Sequence, residues 1–325
     1  MALLALLPLA VASGAITFLV GSGPVAPIVV GHGVIGLALV VLAPWKSMIA
    51  RRGLRHRRPG RTTSVVLAVA VVLTLLSGLA HSTGLLREAF GITALQVHVG
   101  AALVVLVPVA LHVRRRRIRP RTTDLSRRTV YRGGLLVAAA GAMYAALEGA
   151  SALLSLPGAR RAATGSYELG SGDPAAMPLT SWLFDSIPSI DAALWRLRVT
   201  TAGTARDWTL TELAAFDDRV DAVLDCTGGW WSRQTWHGVR LSRLLPSGAT
   251  GSVHVTSATG YSRRLPLTDD LVLAVAVGGR PLTAGHGAPL RLVVPGRRGF
   301  HWVKWVVRIE LEVQPWWLQS PVPLQ

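Results

Sequence analysis

The single cysteine, Cys226, has the widest range of possible chemistry in this sequence. Its thiolate is a soft ligand that suits transition metals, and beside a histidine it could act as a nucleophile. The candidate partners for that second role are His237, His254, His286 and His301. A buried cysteine can also be a small hydrophobic residue of the core. A disulfide within the chain is excluded, because there is no second cysteine.

A zinc site at Cys226 would need three or four nitrogen or sulfur ligands. The sequence contains no Cys-x-x-Cys or His-x-x-x-His cluster. Cys226 is instead followed by Gly228 and Gly229 and then by a patterned run of apolar residues. That run consists of Trp236, Gly238, Val239, Leu241, Leu244 and Leu245.

The segment around Cys226, residues 223–245, resembles the metal-binding segment of the sulfite oxidase-type molybdopterin oxidoreductases. In that family a cysteine thiolate binds molybdenum, and a W-x-G-V-x-L-x-x-L-L stretch follows it, as the apolar run does here. The resemblance implies that Cys226 is the metal ligand and lies at the catalytic centre. It also implies a strand-rich α+β domain and the molybdopterin cofactor.

Two later segments resemble the same family. Residues 285–296 match its H-G-x-P-L-R-x-x-x-P-G segment, and residues 299–305 match its G-x-x-x-V-K-W segment. By matching position, the resemblance implies that His286, Arg291 and Lys304 bind the pterin and its phosphate. Arginine offers a bidentate fork and lysine a point charge, which suit a phosphorylated ligand. Tyr261 and the pair Trp230-Trp231 are predicted to line the pocket.

The resemblance covers about residues 182–313 and departs from sulfite oxidases in two ways. The family's arginine-bearing segment before the first strand is here residues 181–185, which contain no arginine. The stretch after the cysteine is short, and no immunoglobulin-like dimerisation domain follows. Both departures argue against sulfite as the substrate.

Five of the nine histidines lie in the apolar first half of the chain. His32 and His98 stand near corresponding ends of two apolar segments, among small residues that would let a flat ring lie against the backbone. This arrangement resembles the bis-histidine haem sites of cytochrome b-type helix bundles. The resemblance implies one haem b with His32 and His98 as axial ligands. Hydrogen bonding between helices is the alternative role for these histidines.

A second haem tier would pair His112 with Lys46, which follow His98 and His32 by the same 14 residues. Lysine is a poor haem ligand and at a helix end reaches the headgroups, so a single haem is predicted. His81 and His112 are the alternative iron ligands. His56, inside an arginine-rich loop, is predicted to be solvated.

Five apolar segments of about the length that a bilayer requires precede the cysteine domain. They are residues 2–20, 24–45, 64–81, 92–113 and 133–156. Arginine-rich loops at residues 51–61 and 114–128 are predicted to be cytoplasmic by the positive-inside rule. The second half of the chain is then predicted to lie on the extracytoplasmic side of the cell membrane.

The formal net charge of +17 arises mostly in the first half, which has 17 Lys/Arg and three acids. Because these cations flank apolar segments, they indicate membrane topology, and no nucleic-acid partner is predicted. Arg127-Arg128, between Ser126 and Val130, resembles a twin-arginine export signal, which is an address read by a receptor.

In the second half, alternation predicts a strand at residues 195–199. Thr209 or Thr211 is predicted to cap a helix that has Glu212 in its first turn. A short strand at residues 222–224 delivers Cys226, and helix is predicted at 241–245. Further strands are predicted at residues 253–256, 271–277, 290–294 and 303–313, with a turn at 257–261.

The predicted fold class is multi-domain, with an all-α transmembrane helix bundle followed by the α+β molybdopterin-binding domain. The boundaries are residues 1–157 for a cytochrome b-like bundle of about five spans, 158–178 for a linker and 179–325 for the extracytoplasmic domain. The predicted protein is a multi-pass membrane oxidoreductase that exchanges electrons between a small-molecule substrate and the quinone pool or another redox carrier. The sequence itself leaves the direction open, and the resemblance to membrane-coupled members of the fold implies the reductive one. An anchored enzyme without haem and a non-catalytic binding module are the alternatives.

Overall fold

The computed structural model describes residues 2–21, 25–55, 61–115, 126–182, 185–201 and 203–323. The chain divides into two compact units. The first comprises residues 1–18 and 24–167, and the second comprises residues 19–23 and 168–325. The described part of the first unit is mainly helical, and that of the second is mainly β-strand.

The described part of the first unit is built from five α-helices. They are α1 (Ala2–Leu19), α2 (Ala26–Arg55), α3 (Arg61–Thr83), α4 (Ala94–Arg115) and α5 (Arg127–Leu153). Two short strands, β1 (Glu88–Ala89) and β2 (Ile92–Thr93), form a hairpin between α3 and α4. Helix α3 packs along α4, and α2 packs along α5.

Four of these helices are long and apolar enough to cross a membrane, judged by length and composition. Their apolar stretches are Ala26–Met48, Thr62–Thr83, Ala94–Leu111 and Arg127–Leu153, and α1 has a shorter one, Ala5–Leu19. Many of their apolar side chains are exposed, among them Val69, Leu76 and Val107. Lipid can cover such a surface, while the helices satisfy their own backbone hydrogen bonds.

The second unit contains two sheets and one short α-helix among its described residues. A two-residue strand, β3 (Tyr167–Glu168), lies at the boundary between the units. It is followed by β4 (Arg196–Thr201), β5 (Thr204–Thr209), α6 (Leu210–Ala214), β6 (Asp218–Cys226), β7 (Trp230–Arg240), β8 (Ser252–Ser257), β9 (Ser262–Pro266), β10 (Val272–Val277), β11 (Arg280–Pro281), β12 (Arg291–Val293) and β13 (Val306–Glu312).

One sheet has the order β5-β4-β13-β8-β9, in which β4 and β13 are parallel and the other neighbours are antiparallel. In the other sheet β7 pairs with β6 and β10, and β10 also pairs with β11 and β12. Side chains alternate across these strands, so Leu197 and Val199 are buried while Arg196 and Arg198 point to solvent. The strand predicted at residues 195–199 is therefore confirmed.

The predicted helix start at Thr209 is also confirmed. Its hydroxyl accepts the Glu212 backbone N–H, and the Glu212 carboxylate accepts the Thr209 backbone N–H at 2.7 Å. This reciprocal pair is a capping box. The helix predicted at residues 241–245 was wrong, because Leu241–Leu244 is a short 3-10 turn.

Strand β7 was not predicted, because its inward positions are not uniformly apolar. Ser232 and Gln234 are buried between Trp230 and Trp236. The Gln234 amide donates to the Gly170 carbonyl at 2.6 Å and to Ser232 Oγ at 2.9 Å. Residues 168–177, whose composition predicts a linker, therefore pack against β7. Strand β6 likewise extends well beyond the predicted residues 222–224.

Candidate functional site

Cys226 is the last residue of β6, and its backbone pairs with Trp230 at the start of β7. The connecting turn contains Gly229 at φ +91°, which favours glycine. The Gly229 backbone N–H donates to the Cys226 carbonyl at 3.1 Å. The Gly228 N–H points to Cys226 Sγ at 3.3 Å. The hairpin thus fixes the position of the sulfur and gives it a backbone donor.

The sulfur lies at a cleft with about 630 Å³ of open space. Five parts of the second unit form its wall: the described residues between 178 and 185, the end of β6 with the turn after it, Tyr261, the start of β12 and residues 299–304. The lining includes Thr180, Trp182, Asp185, Trp230, Tyr261, Arg291, Phe300 and Lys304. Of the residues predicted for the cofactor, Tyr261, Arg291 and Lys304 are therefore brought together with Cys226.

Arg291 is fully enclosed and has spare donor capacity. Its Nη1 donates to the His286 carbonyl at 3.1 Å, and its guanidinium lies over the rings of Trp236 and Trp302. Its Nε is buried without a hydrogen-bond partner among the described residues. Burial lowers the pKa of Arg291 to about 10, so the side chain is still a cation at neutral pH. A buried cation with an unused donor fits an anionic ligand.

Lys304 is the second cation of the cleft. Its Nζ donates to the Thr180 carbonyl at 2.8 Å and to the Gly285 carbonyl at 2.7 Å. Burial, and then the nearby positive charge of Arg291, lower the pKa of Lys304 to about 7. An anion bound beside it would restore the charged form. The donor set of Arg291 and Lys304 therefore fits the phosphorylated pterin.

Tyr261 and His286 are both tied to the backbone. The Tyr261 hydroxyl donates to the Phe300 carbonyl, and burial raises its pKa. His286 is buried outside the cleft lining, with Nδ1 3.0 Å from Thr283 Oγ1 and Nε2 3.2 Å from the Met177 carbonyl. Because a carbonyl only accepts, Nε2 carries the proton. His286 thus ties the turn at residues 283–286 to the backbone at Met177, next to the cleft wall, and offers no free nitrogen.

The electrostatics of Cys226 favour the neutral thiol in the absence of a metal. Burial raises the pKa of the thiol, and the Gly228 N–H, the charge of Arg298 and the Thr180 hydroxyl act in the opposite direction. A bound metal ion would displace the thiol proton, because a thiolate is the ligand form. The buried position thus suits a permanent ligand better than a reactive nucleophile.

Sequence reasoning missed three contributors to this site. Thr180 accepts the Trp230 indole N–H at 3.1 Å and holds Lys304 through its carbonyl. Asp225 and Arg298 form a buried ion pair at 2.5 Å directly beside Cys226. Thr180 lies in a run rich in Pro and Ser, and Arg298 in an arginine pair, so neither carries a local signal. The adjacency of Asp225 to the only cysteine was the one available hint.

The histidines of the first unit form a separate arrangement. The rings of His32 and His98 are 5.9 Å apart between centroids and almost perpendicular, at 88°. The two rings are close enough that both would be able to hold one iron between them.

The hydrogen bond of His98 leaves its Nε2 available. His98 Nδ1 lies 2.8 Å from the Thr74 carbonyl, which can only accept, so Nδ1 carries the proton. Ser13 Oγ lies 3.0 Å from His32 Nδ1, and either atom can be the donor. Metal-bound histidines are usually oriented by such a bond from the other ring nitrogen.

The alternative iron ligands are placed differently. His81 has a buried Nε2 without a hydrogen-bond partner among the described residues, and its ring packs edge-on against Tyr167 at 5.4 Å. The Tyr167 hydroxyl donates to the His81 carbonyl. His112 belongs to α4, but its side chain is outside the described part, and His56 lies outside the described residues.

Comparison with known proteins identifies the second unit. A family described as oxidoreductase molybdopterin binding domain matches residues 184–317. Mouse mitochondrial sulfite oxidase is 28% identical over 166 aligned residues, 39% of this chain and 30% of the mouse protein. Nitrate reductase (NADH) 2 of Phaseolus vulgaris is 39% identical over 104 residues, 26% of this chain and 12% of that protein. The chain thus spans about a third or less of these relatives.

The sulfane dehydrogenase SoxCD from Paracoccus pantotrophus is a solved structure that resembles part of this chain. The two are 25% identical, with a TM-score of 0.37, over 39% of this chain and 40% of that one.

Residues 184–317 therefore belong to an oxidoreductase molybdopterin-binding domain. The domain is of the sulfite oxidase type and is homologous to sulfite oxidase and nitrate reductase. The predictions of an oxidoreductase domain, of the molybdopterin cofactor and of a strand-rich α+β fold for the second unit are confirmed.

Proposed function

We propose that the protein is a membrane-bound molybdopterin oxidoreductase that exchanges electrons between an extracytoplasmic small molecule and the quinone pool. The observation that carries this proposal is the Cys226 thiol in a cleft shared with Arg291 and Lys304. When bound, the molybdenum cofactor supplies two-electron oxygen-atom exchange, and haem b supplies single-electron transfer. The protein supplies binding, orientation and electrostatics.

Each cleft residue has a role in this proposal. Cys226 holds the metal as a thiolate, and Arg291 and Lys304 hold the phosphate of the pterin. Tyr261 lines the substrate side with a hydroxyl already directed at the Phe300 carbonyl. His286 acts indirectly, by fixing the backbone near Met177.

The lining of the cleft favours an uncharged organic oxide over an anion such as sulfite. Asp185 is the one carboxylate among the described residues that line it, and Trp182, Trp230 and Phe300 add apolar rings. The two lining cations are assigned to the phosphate, so no cation is left for an anionic substrate. We therefore assign the reductive direction, with an oxide as oxygen donor.

The Asp185→Asn variant tests this charge argument. Removing a carboxylate from the cleft removes repulsion of anions, so the KM for sulfite or nitrate should fall several-fold. The KM for a neutral sulfoxide or N-oxide should stay unchanged. Steady-state kinetics with both substrate classes measure the difference. Equal changes for the two classes would show that Asp185 acts only through structure.

The pH dependence of cofactor binding tests the role of Lys304. The Lys304 side chain is a cation below its pKa of about 7 and loses its charge above it. A phosphorylated ligand favours the cation, so affinity of the apo-protein for the cofactor should weaken as pH rises through 7. Lys304→Arg should flatten this dependence because arginine stays charged. A wild-type affinity that is constant between pH 6 and about 9 would contradict the assignment.

Two observations support the membrane haem within this proposal. The first is the spacing of His32 and His98, with a hydrogen-bond partner at each Nδ1. The second is the space that glycines leave for these rings. A Cβ at Gly78 would lie 2.9 Å from His98 Nδ1, and one at Gly14 would lie 3.0 Å from His32 Cε1. Without haem, the protein would be an anchored enzyme fed by a soluble carrier.

The decisive experiment is elemental analysis of molybdenum and iron in the purified protein. About one of each per chain supports the full proposal, and molybdenum without iron supports the anchored enzyme. Iron without molybdenum, or neither, would overturn the enzyme assignment and favour a binding module.

Export by the twin-arginine route is part of the proposal. Arg127 and Arg128 occupy the first turn of α5, which Ser126 caps. Arg127→Lys combined with Arg128→Lys should leave the second unit on the cytoplasmic side, because the receptor reads the arginine pair. Protease accessibility in intact spheroplasts measures the side. The matched change at Arg160 and Arg161 should have no effect, and unchanged topology in the test variant would exclude this route.

A further inference from the structure

A buried ion pair, formed by Asp225 and Arg298, lies next to Cys226. Arg298 Nη1 donates to Asp225 Oδ1 at 2.5 Å, although the two residues are 73 positions apart. Both side chains are almost completely buried, at 2% and 5% exposure. Burying two charges costs several kcal/mol per ion before their attraction is counted. A pair in this position therefore invites a functional explanation.

Arg298 also contacts the backbone that carries the thiol. Its Nη2 donates to the Cys226 carbonyl at 3.3 Å, and that carbonyl also accepts the Gly229 N–H. The backbones of Asp225 and Arg298 form a parallel bridge. A Cβ on Gly299 would lie 3.2 Å from Cys226 Cα, so this turn passes immediately behind the cysteine. Arg298 thus holds the end of β6 through its side chain and through the backbone beside it.

The two charges are placed differently with respect to the cysteine. Arg298 Nη2 donates to the Cys226 carbonyl at 3.3 Å, whereas the Asp225 carboxylate accepts from Arg298 Nη1. The guanidinium is therefore the charge that contacts the backbone carrying the thiol. A cation in this position stabilises negative charge on the sulfur and on any metal bound to it.

We propose that Arg298, paired with Asp225, is a positioning residue that fixes the Cys226 sulfur and raises the reduction potential of the metal bound there. This inference rests on the proposed function, because it requires molybdenum at Cys226. Outer partners of metal ligands commonly tune a site in this way. The pair acts through the sulfur and does not touch the substrate.

Three variants separate charge from packing. Asp225→Asn keeps Arg298 and removes the opposing negative charge, so the Mo(V) midpoint potential should rise. Asp225→Asn with Arg298→Gln removes both charges without leaving one unpaired, so the potential should fall below that of the wild type. Arg298→Lys keeps the charge, so the potential should stay near the wild-type value.

The measurement is a redox titration of the Mo(V) electron paramagnetic resonance signal, which does not depend on turnover. We expect the midpoint potential to rise by about 59 mV in Asp225→Asn and to fall by about 59 mV in the double variant. For one electron this shift corresponds to about a tenfold change in the ratio of the two oxidation states. The control is Arg264→Gln with Glu312→Gln, a pair at 2.5 Å on other strands, which should leave the potential unchanged.

Shifts of the midpoint potential in opposite directions in Asp225→Asn and in the double variant would support the proposal. Loss of packing alone would shift the potential of both variants in the same direction. Unshifted potentials in both variants would overturn it. If the double variant does not bind metal, Asp225→Asn and Arg298→Lys still decide the question. A wild-type protein without molybdenum would instead refute the proposed function, so the two failures are distinguishable.

Discussion

Replacing Cys226 with serine is expected to abolish the oxidoreductase activity. The loss should be at least about 100-fold, because changing an outer partner of a metal ligand already costs up to that factor and this change removes the ligand itself. Serine keeps the size of the side chain and replaces soft sulfur with hard oxygen, which suits this metal poorly. Because Arg291 and Lys304 are unchanged, the variant should still bind the pterin part. Activity, molybdenum content and the Mo(V) signal measure the effect.

A matched control for this variant lies on the same hairpin. Thr235 is on β7, and its hydroxyl donates to Asp221 Oδ1 at 2.5 Å. Thr235→Ala should keep full molybdenum content and activity. Cys226→Ser with wild-type activity would show that the thiol is only a residue of the core, which is the alternative role of a buried cysteine.

Replacing His98 with alanine is expected to remove haem iron and quinol-dependent turnover, while the molybdenum content stays unchanged. The His98 ring lies 5.9 Å from that of His32, and its Nδ1 is engaged by the Thr74 carbonyl, which leaves Nε2 as the proposed iron ligand. A single imidazole binds iron much less firmly than a pair. Turnover with an artificial soluble reductant should persist, because the second unit is intact. The reduced-haem absorption spectrum and iron analysis measure the loss.

The His81→Ala variant is the matched control for this prediction. His81 is another histidine of the same unit and was an alternative ligand, but its ring packs against Tyr167. It should retain iron, while His32→Ala should behave like His98→Ala. Iron loss in His81→Ala with retention in His98→Ala would assign the ligand differently. Retention of iron in all three variants would show that these histidines serve only in hydrogen bonding between helices.

Much of the cleft could be predicted because its residues sit in local motifs. Cys226, Arg291 and Lys304 belong to three segments that each carry a recognisable spacing, and the structure brings all three to one cleft. His286 belongs to the same pattern, yet its ring turns to Thr283 and the Met177 carbonyl. A motif determines residue type and backbone position, but the direction of a side chain depends on its neighbours in space.

In the helical first unit, too, the sequence predicts some features while others depend on tertiary packing. Apolar length alone predicted the four long helices, since each is about as long as a bilayer is thick. Matching depth of His32 and His98 suggested a pair, but their 5.9 Å spacing depends on how α2 and α4 are packed.

By itself, the sequence determined the apolar helices, the capping box at Thr209, the alternation of β4 and the choice of Cys226 as the proposed metal ligand. These follow from local periodicity, side-chain chemistry and short motifs. Only the tertiary structure decided that Gln234 is satisfied by Gly170, that Thr180 holds Lys304 and that Arg298 pairs with Asp225. Each of these contacts joins residues far apart in the chain, and such contacts leave no periodic trace in the sequence.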